Sequence, residues 1–287
     1  MKKQEQQTRE KFNALKKYYD ETWDKKSHTL HVGYFGYGAR TLTKAFADAT
    51  AMLIKRLNEM ATVNVGSTVL DVGCGTGKTL QILCAKYGCR GVGVDISDAQ
   101  IKDAKADLAA TNRARQAKKL RPLRIKFIQG SGSDLSRLFP KKESFTHIIS
   151  QDALLLVVNK RSLFKNAFRL LVPGGALAIA DFLSEAPQKT YTKDQKKLIY
   201  TLVNWSGELS YAAYRAVLSS IGFRLTHAEE RGKDMRKTYD MLAKRLRPYA
   251  AKDAVYADLA KRYKNIVSAV KAGKMGWGLF FAIKPTI

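Results

Sequence analysis

The stretch VLDVGCGTGKTLQILCAKYGCRGVGVDIS, residues 69–97, decides the fold because it combines two strand-like runs with a glycine-rich turn and a helix-length segment. The apolar runs at 68–72 and 91–94 have the length of strands. Two strands joined in this way form a parallel pair with a crossover helix. Glycines in the first turn let the chain bend tightly and let a ligand approach the backbone.

The same alternation continues along the chain and predicts a doubly wound α/β fold with a mostly parallel, seven-stranded sheet. Further strand-like runs occupy residues 125–128, 147–150, 176–180, 223–227 and 277–283. Helical spacing at 11–19 and 41–60 predicts N-terminal helices, and a helical insertion at about 231–273 precedes the last strand. We expect residues 1–60 to cap the active site and residues 61–287 to form the catalytic domain.

The glycine-rich turn predicts a nucleoside-type cofactor rather than a dinucleotide. Its glycines are Gly73, Gly75 and Gly77, whereas the dinucleotide spacing G-x-G-x-x-G would put the third glycine at Lys78. The phosphate-binding spacing G-x-x-x-x-G-K-[ST] is absent as well. Acids end the first two strands, at positions 71 and 95. An acid at the end of the second strand can accept hydrogen bonds from ribose hydroxyls.

The charge balance leaves one alternative open. The chain carries 51 Lys and Arg against 25 Asp and Glu, a formal net charge of +26, and the excess is spread along its length. One basic run without acids occupies residues 113–126. Such runs are usually solvated surface, but they also bind polyanions. Nucleic-acid binding by this basic surface therefore stays an alternative, although no aromatic RNA-binding signature interleaves the charges.

Other features of composition predict a cytoplasmic protein. No apolar run approaches the roughly 18 residues of a membrane span, and the N-terminus is polar. The three cysteines, Cys74, Cys84 and Cys89, have neither the number of a disulfide framework nor metal-ligand spacing, so we expect no metal site.

The segment 69–97 resembles the cofactor-binding region of class I S-adenosylmethionine-dependent methyltransferases, and LVPGGALAIAD at 171–181 supports the resemblance. The resemblance implies S-adenosylmethionine as cofactor, with the three glycines beside its methionine and ribose. It places Asp95 at the ribose hydroxyls and Ser131 and Gly132 beside the adenine. The remaining residues expected to line this site are Asp71, Ile96 and Gln151.

Three other segments resemble the sarcosine and dimethylglycine N-methyltransferases that make glycine betaine. They are HVGYF at 31–35, SQDALL at 150–155 and KMGWG at 274–278. The neighbouring phosphoethanolamine methyltransferases share Asp152, but they carry a histidine and a tyrosine where this sequence has Leu156 and Phe182. The resemblance therefore implies a small amine as methyl acceptor. O- or C-methylation of a lipid-like or specialised metabolite is the second alternative, since related folds perform both.

Methyl transfer to an amine depends mainly on positioning, so the candidate acceptor residues are carboxylates and aromatic rings near the strand ends. The predicted catalytic residues are Asp152, Tyr34 and His31. Aromatic faces that stabilise a developing ammonium charge, together with a possible carboxylate clamp, complete the predicted substrate site. Its members are Tyr34, Asp152, Trp205, Tyr211, Tyr214 and Arg215. Each aromatic residue has packing in the core as its alternative role.

Overall fold

The computed structural model describes residues 3–24, 29–186, 190–201 and 209–286. Seven strands form one sheet in the order β3-β2-β1-β4-β5-β7-β6. Their bounds are β1 Thr68–Val72, β2 Arg90–Asp95, β3 Arg124–Gln129, β4 Phe145–Gln151, β5 Leu171–Ser184, β6 Arg224–Glu230 and β7 Met275–Ile283. All neighbours pair in parallel except β7, which is antiparallel to both β5 and β6. The predicted fold class is confirmed.

Helices cover both faces of this sheet. They are α1 Lys3–Thr22, α2 Leu42–Met60, α3 Lys78–Tyr87, α4 Asp98–Ala117, α5 Leu135–Leu138, α6 Lys160–Leu170, α7 Lys193–Gln195, α8 Tyr211–Ile221, α9 Gly232–Ala250 and α10 Ala254–Lys271. Helix α2 begins where the Thr41 side chain accepts a hydrogen bond from the Lys44 N–H. Helices α9 and α10 form the insertion before β7.

Strand β5 is longer than predicted. The sequence Pro173-Gly174-Gly175 predicts a break before a strand at 176–180, yet the strand runs through it from Leu171 to Ser184. The pairing with β4 shifts register between Phe145 and His147, and Gly174 adopts φ +76° while its N–H donates to the Lys284 carbonyl. The register shift is a β-bulge in which Gly174 adopts the positive φ, and a proline is tolerated near the start of a strand. The strand can therefore continue through this sequence.

Successive residues of the central strands enter two separate hydrophobic cores, one on each face of the sheet. On β5, Ala178 belongs to the core that also contains α2, α9 and α10, and Ile179 belongs to the core beneath α6 and α8. Within the described ranges, no helix combines the length and the apolarity that a membrane crossing needs.

Candidate cofactor and acceptor site

A cleft of about 1130 Å³, which includes its open mouth, lies at the carboxyl ends of β1, β2 and β4. Parallel strands present their carboxyl ends at one edge, where open α/β sheets bind ligands. Of the predicted cofactor residues the cleft contains Asp71, Gly73, Gly75, Asp95, Ile96, Ser131, Gly132 and Gln151, and it also contains His31 and Asp152. Of the predicted cofactor residues, Gly77 does not line the cleft.

The three glycines of the turn have different roles. A Cβ atom on Gly73 would lie 2.1 Å from the Ala153 Cβ, and one on Gly77 would lie 2.2 Å from the Phe127 Cζ. Both have positive φ, +78° and +73°. A Cβ on Gly75 would meet nothing within 4 Å, because this glycine borders the cleft. Gly73 and Gly77 thus let the turn pack, whereas Gly75 leaves space for a ligand.

Asp95 holds the turn to the end of β2. One carboxylate oxygen accepts a hydrogen bond from the Gly75 N–H at 2.8 Å, and the other accepts from the Ser97 N–H at 2.9 Å. A carboxylate oxygen accepts more than one hydrogen bond. Asp95 therefore retains the capacity to accept from a diol such as the ribose hydroxyls while it fixes the turn.

Two buried polar atoms in the cleft have no hydrogen-bond partner within the described part of the chain. They are the Gln151 Nε2 and the Gln100 Oε1. The Gln151 Oε1, in contrast, accepts a hydrogen bond from the Thr79 hydroxyl at 3.2 Å. Buried polar groups are rarely left unsatisfied, so this donor and this acceptor indicate a polar ligand. S-adenosylmethionine, which carries both donors and acceptors, fits these residues.

Helix α1 lines one side of the cleft and begins earlier in the chain than the helix predicted at 11–19. Glu5, Thr8 and Phe12 line the cleft, and the Ser131 hydroxyl donates to the Glu5 carboxylate at 2.6 Å. The predicted helix at 11–19 begins too late to include two of these residues. Residues 3–10 are all polar, so they show no apolar helical pattern, and the sequence did not reveal where α1 begins.

Asp152 is fixed at the end of β4 by two donors from distant parts of the chain. Its Oδ2 accepts from the Val32 N–H at 2.6 Å, and its Oδ1 accepts from the Trp277 indole N–H at 2.7 Å. Its backbone has φ +53°, a left-handed conformation that few non-glycine residues adopt. Trp277 was not among the predicted site residues, although it lies in the quoted segment 274–278.

The turn that follows Asp152 is held by side chains of β5 and α6. The Asp181 carboxylate accepts from the Leu155 N–H at 2.9 Å, and the Lys160 ammonium donates to the Leu154 carbonyl at 2.6 Å. Lys160 and Asp181 also lie 3.4 Å apart and are both buried. This paired network fixes the loop that carries Asp152.

His31 lines the cleft but is held in a neutral, hydrogen-bonded state. Its Nε2 lies 3.2 Å from the Thr50 hydroxyl and its Nδ1 lies 3.1 Å from the Val32 carbonyl. Burial lowers the pKa of His31 to about 4. Both ring nitrogens have partners, so the arrangement favours support of the Val32 segment over proton transfer.

Tyr34 lies outside the cleft, contrary to its predicted role. Its ring lies under the Arg231 guanidinium at 4.7 Å and beside Tyr37, on an outer groove that Lys233 also lines. The Tyr34 N–H donates to the Ala45 carbonyl of α2 at 2.9 Å, and a Cβ added to the preceding Gly33 would lie 2.7 Å from the Ala45 Cβ, so this segment packs directly against α2. The predicted substrate residue at position 205 lies outside the described residues.

The predicted substrate residues of α8 do not line the cleft either. This helix packs with α6 on the face of the sheet opposite α2, α9 and α10. Tyr214 is fully buried, stacks on Phe280 at 4.5 Å and donates its hydroxyl to Asp181. Tyr211 carries the Arg215 guanidinium over its ring at 5.6 Å, and Arg215 is exposed. Tyr211 and Tyr214 therefore pack within the protein, and the prediction that they bind substrate is not supported by their position.

Two carboxyl groups in the cleft are strongly affected by burial. Burial, with a smaller contribution from Asp95, raises the pKa of Asp71 to about 8. Burial also raises the pKa of Asp152 to about 8, against the opposing effect of its two hydrogen-bond donors. A cationic ligand would favour the ionised form of either group. Binding of a cationic ligand beside Asp71 or Asp152 would therefore lower the pKa of that carboxyl group.

These shifts predict that the free protein loses stability as the pH rises. A carboxyl whose pKa is raised by folding stabilises the fold fully below its unfolded pKa of about 4, and that contribution is lost as the pH rises through about 8. Asp71→Asn should reduce the slope of unfolding free energy against pH by up to about 1.4 kcal/mol per pH unit in this window. Urea titrations at several pH values measure it, and an unchanged slope would contradict a raised pKa of Asp71 in the folded protein.

Residues 64–238 match the family model of a methyltransferase domain, which covers more than half of the chain. The chain belongs to this methyltransferase family. With the glycine turn and the unsatisfied polar atoms of the cleft, the match establishes S-adenosylmethionine as the cofactor of this methyltransferase. The residues that would hold it are those of the turn, Asp95, Gln100 and Gln151.

The methyltransferase is similar to several known proteins. It is 29% identical over 262 residues to phosphoethanolamine N-methyltransferase 1 of Zea mays, covering 88% of this chain and 46% of the maize protein. The chain thus spans about half the length of that relative. A protein of Galdieria sulphuraria described as a sarcosine dimethylglycine methyltransferase superposes with TM-score 0.78 at 22% identity, covering 95% and 98% of the two chains.

A third similarity is to the mycolic acid cyclopropane synthase CmaA1 complexed with SAH and CTAB. This structure superposes with TM-score 0.84 at 18% identity and covers 99% of both chains. At such low identity these structural similarities show the fold alone. The acceptor of this methyltransferase must therefore be inferred from its own residues.

Asp95→Ala should raise the dissociation constant for S-adenosylmethionine about 10- to 100-fold without unfolding the protein. Loss of hydrogen bonds to a charged acceptor costs about 1.5–3 kcal/mol, and the Gly75 N–H also loses its partner. Calorimetric titration measures the change. Asp258→Ala, which removes an exposed carboxylate of α10 that does not line the cleft, is the control and should bind as the wild type does. Equal affinity of the Asp95 variant would contradict the assigned ribose contact.

Proposed function

We propose that this methyltransferase transfers a methyl group to the nitrogen of a small amine, with N-methylated glycines, sarcosine or dimethylglycine, as the leading acceptors. The observation that carries the proposal is the Asp152 carboxyl, which borders the cofactor cleft and is fixed by Val32 and Trp277. A carboxyl group held at this position can accept a proton from an acceptor's reacting atom, or interact with a positive charge on it.

The chain's own residues have two tasks in this reaction. S-adenosylmethionine, when bound, supplies a methyl group already activated by its positively charged sulfur. The amine arrives mostly as an ammonium ion, so it must lose a proton before its lone pair can attack. The Asp152 carboxylate, with a pKa raised to about 8, accepts that proton far more readily than an ordinary carboxylate would.

Positioning is the second task. Orientation of two reactants can contribute about 7–11 kcal/mol to the lowering of a barrier. Asp152 is suited to it because both oxygens are held by rigid donors and its loop is anchored by Lys160 and Asp181. A mobile surface carboxylate would not fix an amine in this way.

The relatives support an amine acceptor, since the names of the maize and Galdieria proteins both refer to amines. Leu156 and Phe182 stand where phosphoethanolamine methyltransferases have histidine and tyrosine, as the resemblance in sequence indicates. Leu156 lines the cleft and brings no polar group to it. These two positions favour N-methylated glycines over phosphoethanolamine.

The test is turnover of a defined acceptor panel by the purified protein with S-adenosylmethionine. The panel contains glycine, sarcosine, dimethylglycine, ethanolamine and phosphoethanolamine, with a catechol and a fatty acid as oxygen acceptors. We expect methylation of the N-methylated glycines and formation of S-adenosylhomocysteine. Methylation of the oxygen acceptors alone, or of no amine, would refute the proposal.

A further inference from the structure

Among the described residues, four with carboxyl groups line the cofactor cleft, and three of them belong to strand ends. Asp71 lies in β1, Asp95 ends β2 and Asp152 directly follows β4. The fourth is Glu5, which comes from the first turns of helix α1. Helix α1 therefore brings to the cleft an acid that the sheet does not supply.

The Glu5 side chain lies at the end of β3, where the chain itself places a serine. The Ser131 hydroxyl, just beyond β3, donates to the Glu5 carboxylate at 2.6 Å. Ser131 is 8% exposed, and its hydroxyl oxygen accepts a hydrogen bond from the Ser133 N–H at 3.0 Å. A hydroxyl has one proton to donate, and this one is directed at Glu5. Ser131 thus fixes the Glu5 carboxylate at the wall of the cleft.

Helix α1 is also fixed at the end of the neighbouring strand. The Ser97 hydroxyl donates to the Asn13 side chain at 2.7 Å, and the N–H of the same Ser97 donates to Asp95 at 2.9 Å. Asn13 and Glu5 are eight positions apart, which is about 12 Å along a helix. Helix α1 therefore runs from the end of β2 to the end of β3, and Thr8 between these contacts lines the cleft as well.

The order of the strands indicates which part of S-adenosylmethionine meets this helix. The strands follow each other as β3-β2-β1-β4 along this part of the sheet. The glycine turn comes after β1, and Asp95, which can accept from the ribose hydroxyls, ends β2. The sulfur arm and the base are attached to opposite sides of the ribose. A cofactor whose arm lies at the glycine turn therefore has its base at the end of β3.

We propose that Glu5 accepts a hydrogen bond from the 6-amino group of the adenine of S-adenosylmethionine and thereby selects a 6-aminopurine nucleoside. The amino group is a hydrogen-bond donor, and a carboxylate offers about four acceptor sites, of which the Ser131 hydroxyl uses one. Hydrogen bonds to an ionised acceptor are stronger than those between neutral groups. Helix α1 completes the base-binding end of the site in this way, whichever acceptor is methylated.

The test compares the equilibrium binding of two ligands by calorimetric titration and needs no turnover. One ligand is S-adenosylhomocysteine, and the other is its analogue with hydrogen in place of the 6-amino group. We expect the wild type to bind S-adenosylhomocysteine about 10- to 100-fold more tightly than the analogue, the range that a hydrogen bond to a charged group contributes. A wild type that binds both ligands equally would overturn the proposal.

Glu5→Ala should remove most of this preference by weakening the binding of S-adenosylhomocysteine. If Glu5 served only to dock α1, its loss would weaken both ligands equally and leave the preference intact, and that result would overturn the proposal. Glu10→Ala is the matched control, because Glu10 lies on the same helix but is exposed and does not line the cleft. This control should keep the preference of the wild type.

Glu5→Gln controls for a loosening of α1, since the amide keeps the length of the side chain and an acceptor for the Ser131 hydroxyl. Charge-assisted hydrogen bonds are about twice as strong as neutral ones, so the preference should fall to about 3- to 10-fold. An undiminished preference in Glu5→Gln would contradict a contact between the Glu5 carboxylate and the adenine amino group.

Discussion

Asp152→Asn is expected to lower kcat/KM for the amine acceptor by about 10²- to 10³-fold, with affinity for S-adenosylmethionine nearly unchanged. Asparagine has almost the same shape but cannot take a proton from an ammonium ion. It can also accept from only one of the two donors, Val32 N–H and the Trp277 indole, that now bond to the two oxygens. Steady-state kinetics at saturating cofactor measure the loss.

The pH profile separates this role from a structural one. At saturating cofactor, wild-type kcat/KM should rise with pH as Asp152 ionises, at a pH below the pKa of about 8 of the ligand-free protein because the cationic cofactor favours the carboxylate, and the variant should lose that rise. Asp134→Asn is the control, because Asp134 follows the cleft residue Ser133 but pairs with Arg137 at the surface. An Asp152 variant with wild-type kcat/KM would refute the proposed contact with the amine.

Substitutions in the glycine turn should have the second largest effects, and they should divide into two kinds. Gly73→Ala and Gly77→Ala should destabilise the protein by several kcal/mol, because each new Cβ would overlap a neighbouring atom at 2.1–2.2 Å and the positive φ adds about 1 kcal/mol. Thermal unfolding without cofactor measures this loss.

Gly75→Ala should leave packing intact and weaken cofactor binding instead. Its Cβ meets no protein atom within 4 Å and enters the space of the cleft, although its φ of +52° costs about 1 kcal/mol. We expect the dissociation constant for S-adenosylmethionine to rise at least tenfold. Gly38→Ala, a positive-φ glycine in open space outside the cleft, controls for the backbone cost. Wild-type cofactor affinity in Gly75→Ala would contradict the assigned site.

The fold and the cofactor half of the site could be predicted because their signals are local in sequence. Strand, turn, helix and strand follow each other within residues 69–97, and the two acids mark the strand ends that meet at the cleft. Short range also explains the error at β5. A Pro-Gly-Gly sequence is typical of a break between a helix and a strand, and only the pairing of Leu171 with Phe145 of β4 shows that the strand begins before it.

The acceptor half depends on contacts between distant segments, which periodicity does not reveal. Asp152 was predicted from its strand end, but its partners Val32 and Trp277 lie 120 and 125 residues away. Tyr214 had the right type for a substrate contact, yet its helix packs on the other face of the sheet.

The atom that receives the methyl group tests the central claim most directly. The protein is incubated with S-adenosylmethionine carrying a carbon-13 methyl group and an equimolar mixture of sarcosine, dimethylglycine, phosphoethanolamine and a catechol, and the products are identified by two-dimensional NMR. The proposed function predicts labelled methyl groups on nitrogen, with sarcosine and dimethylglycine consumed first. Label on oxygen or carbon alone would contradict a site built around the Asp152 carboxyl for an amine.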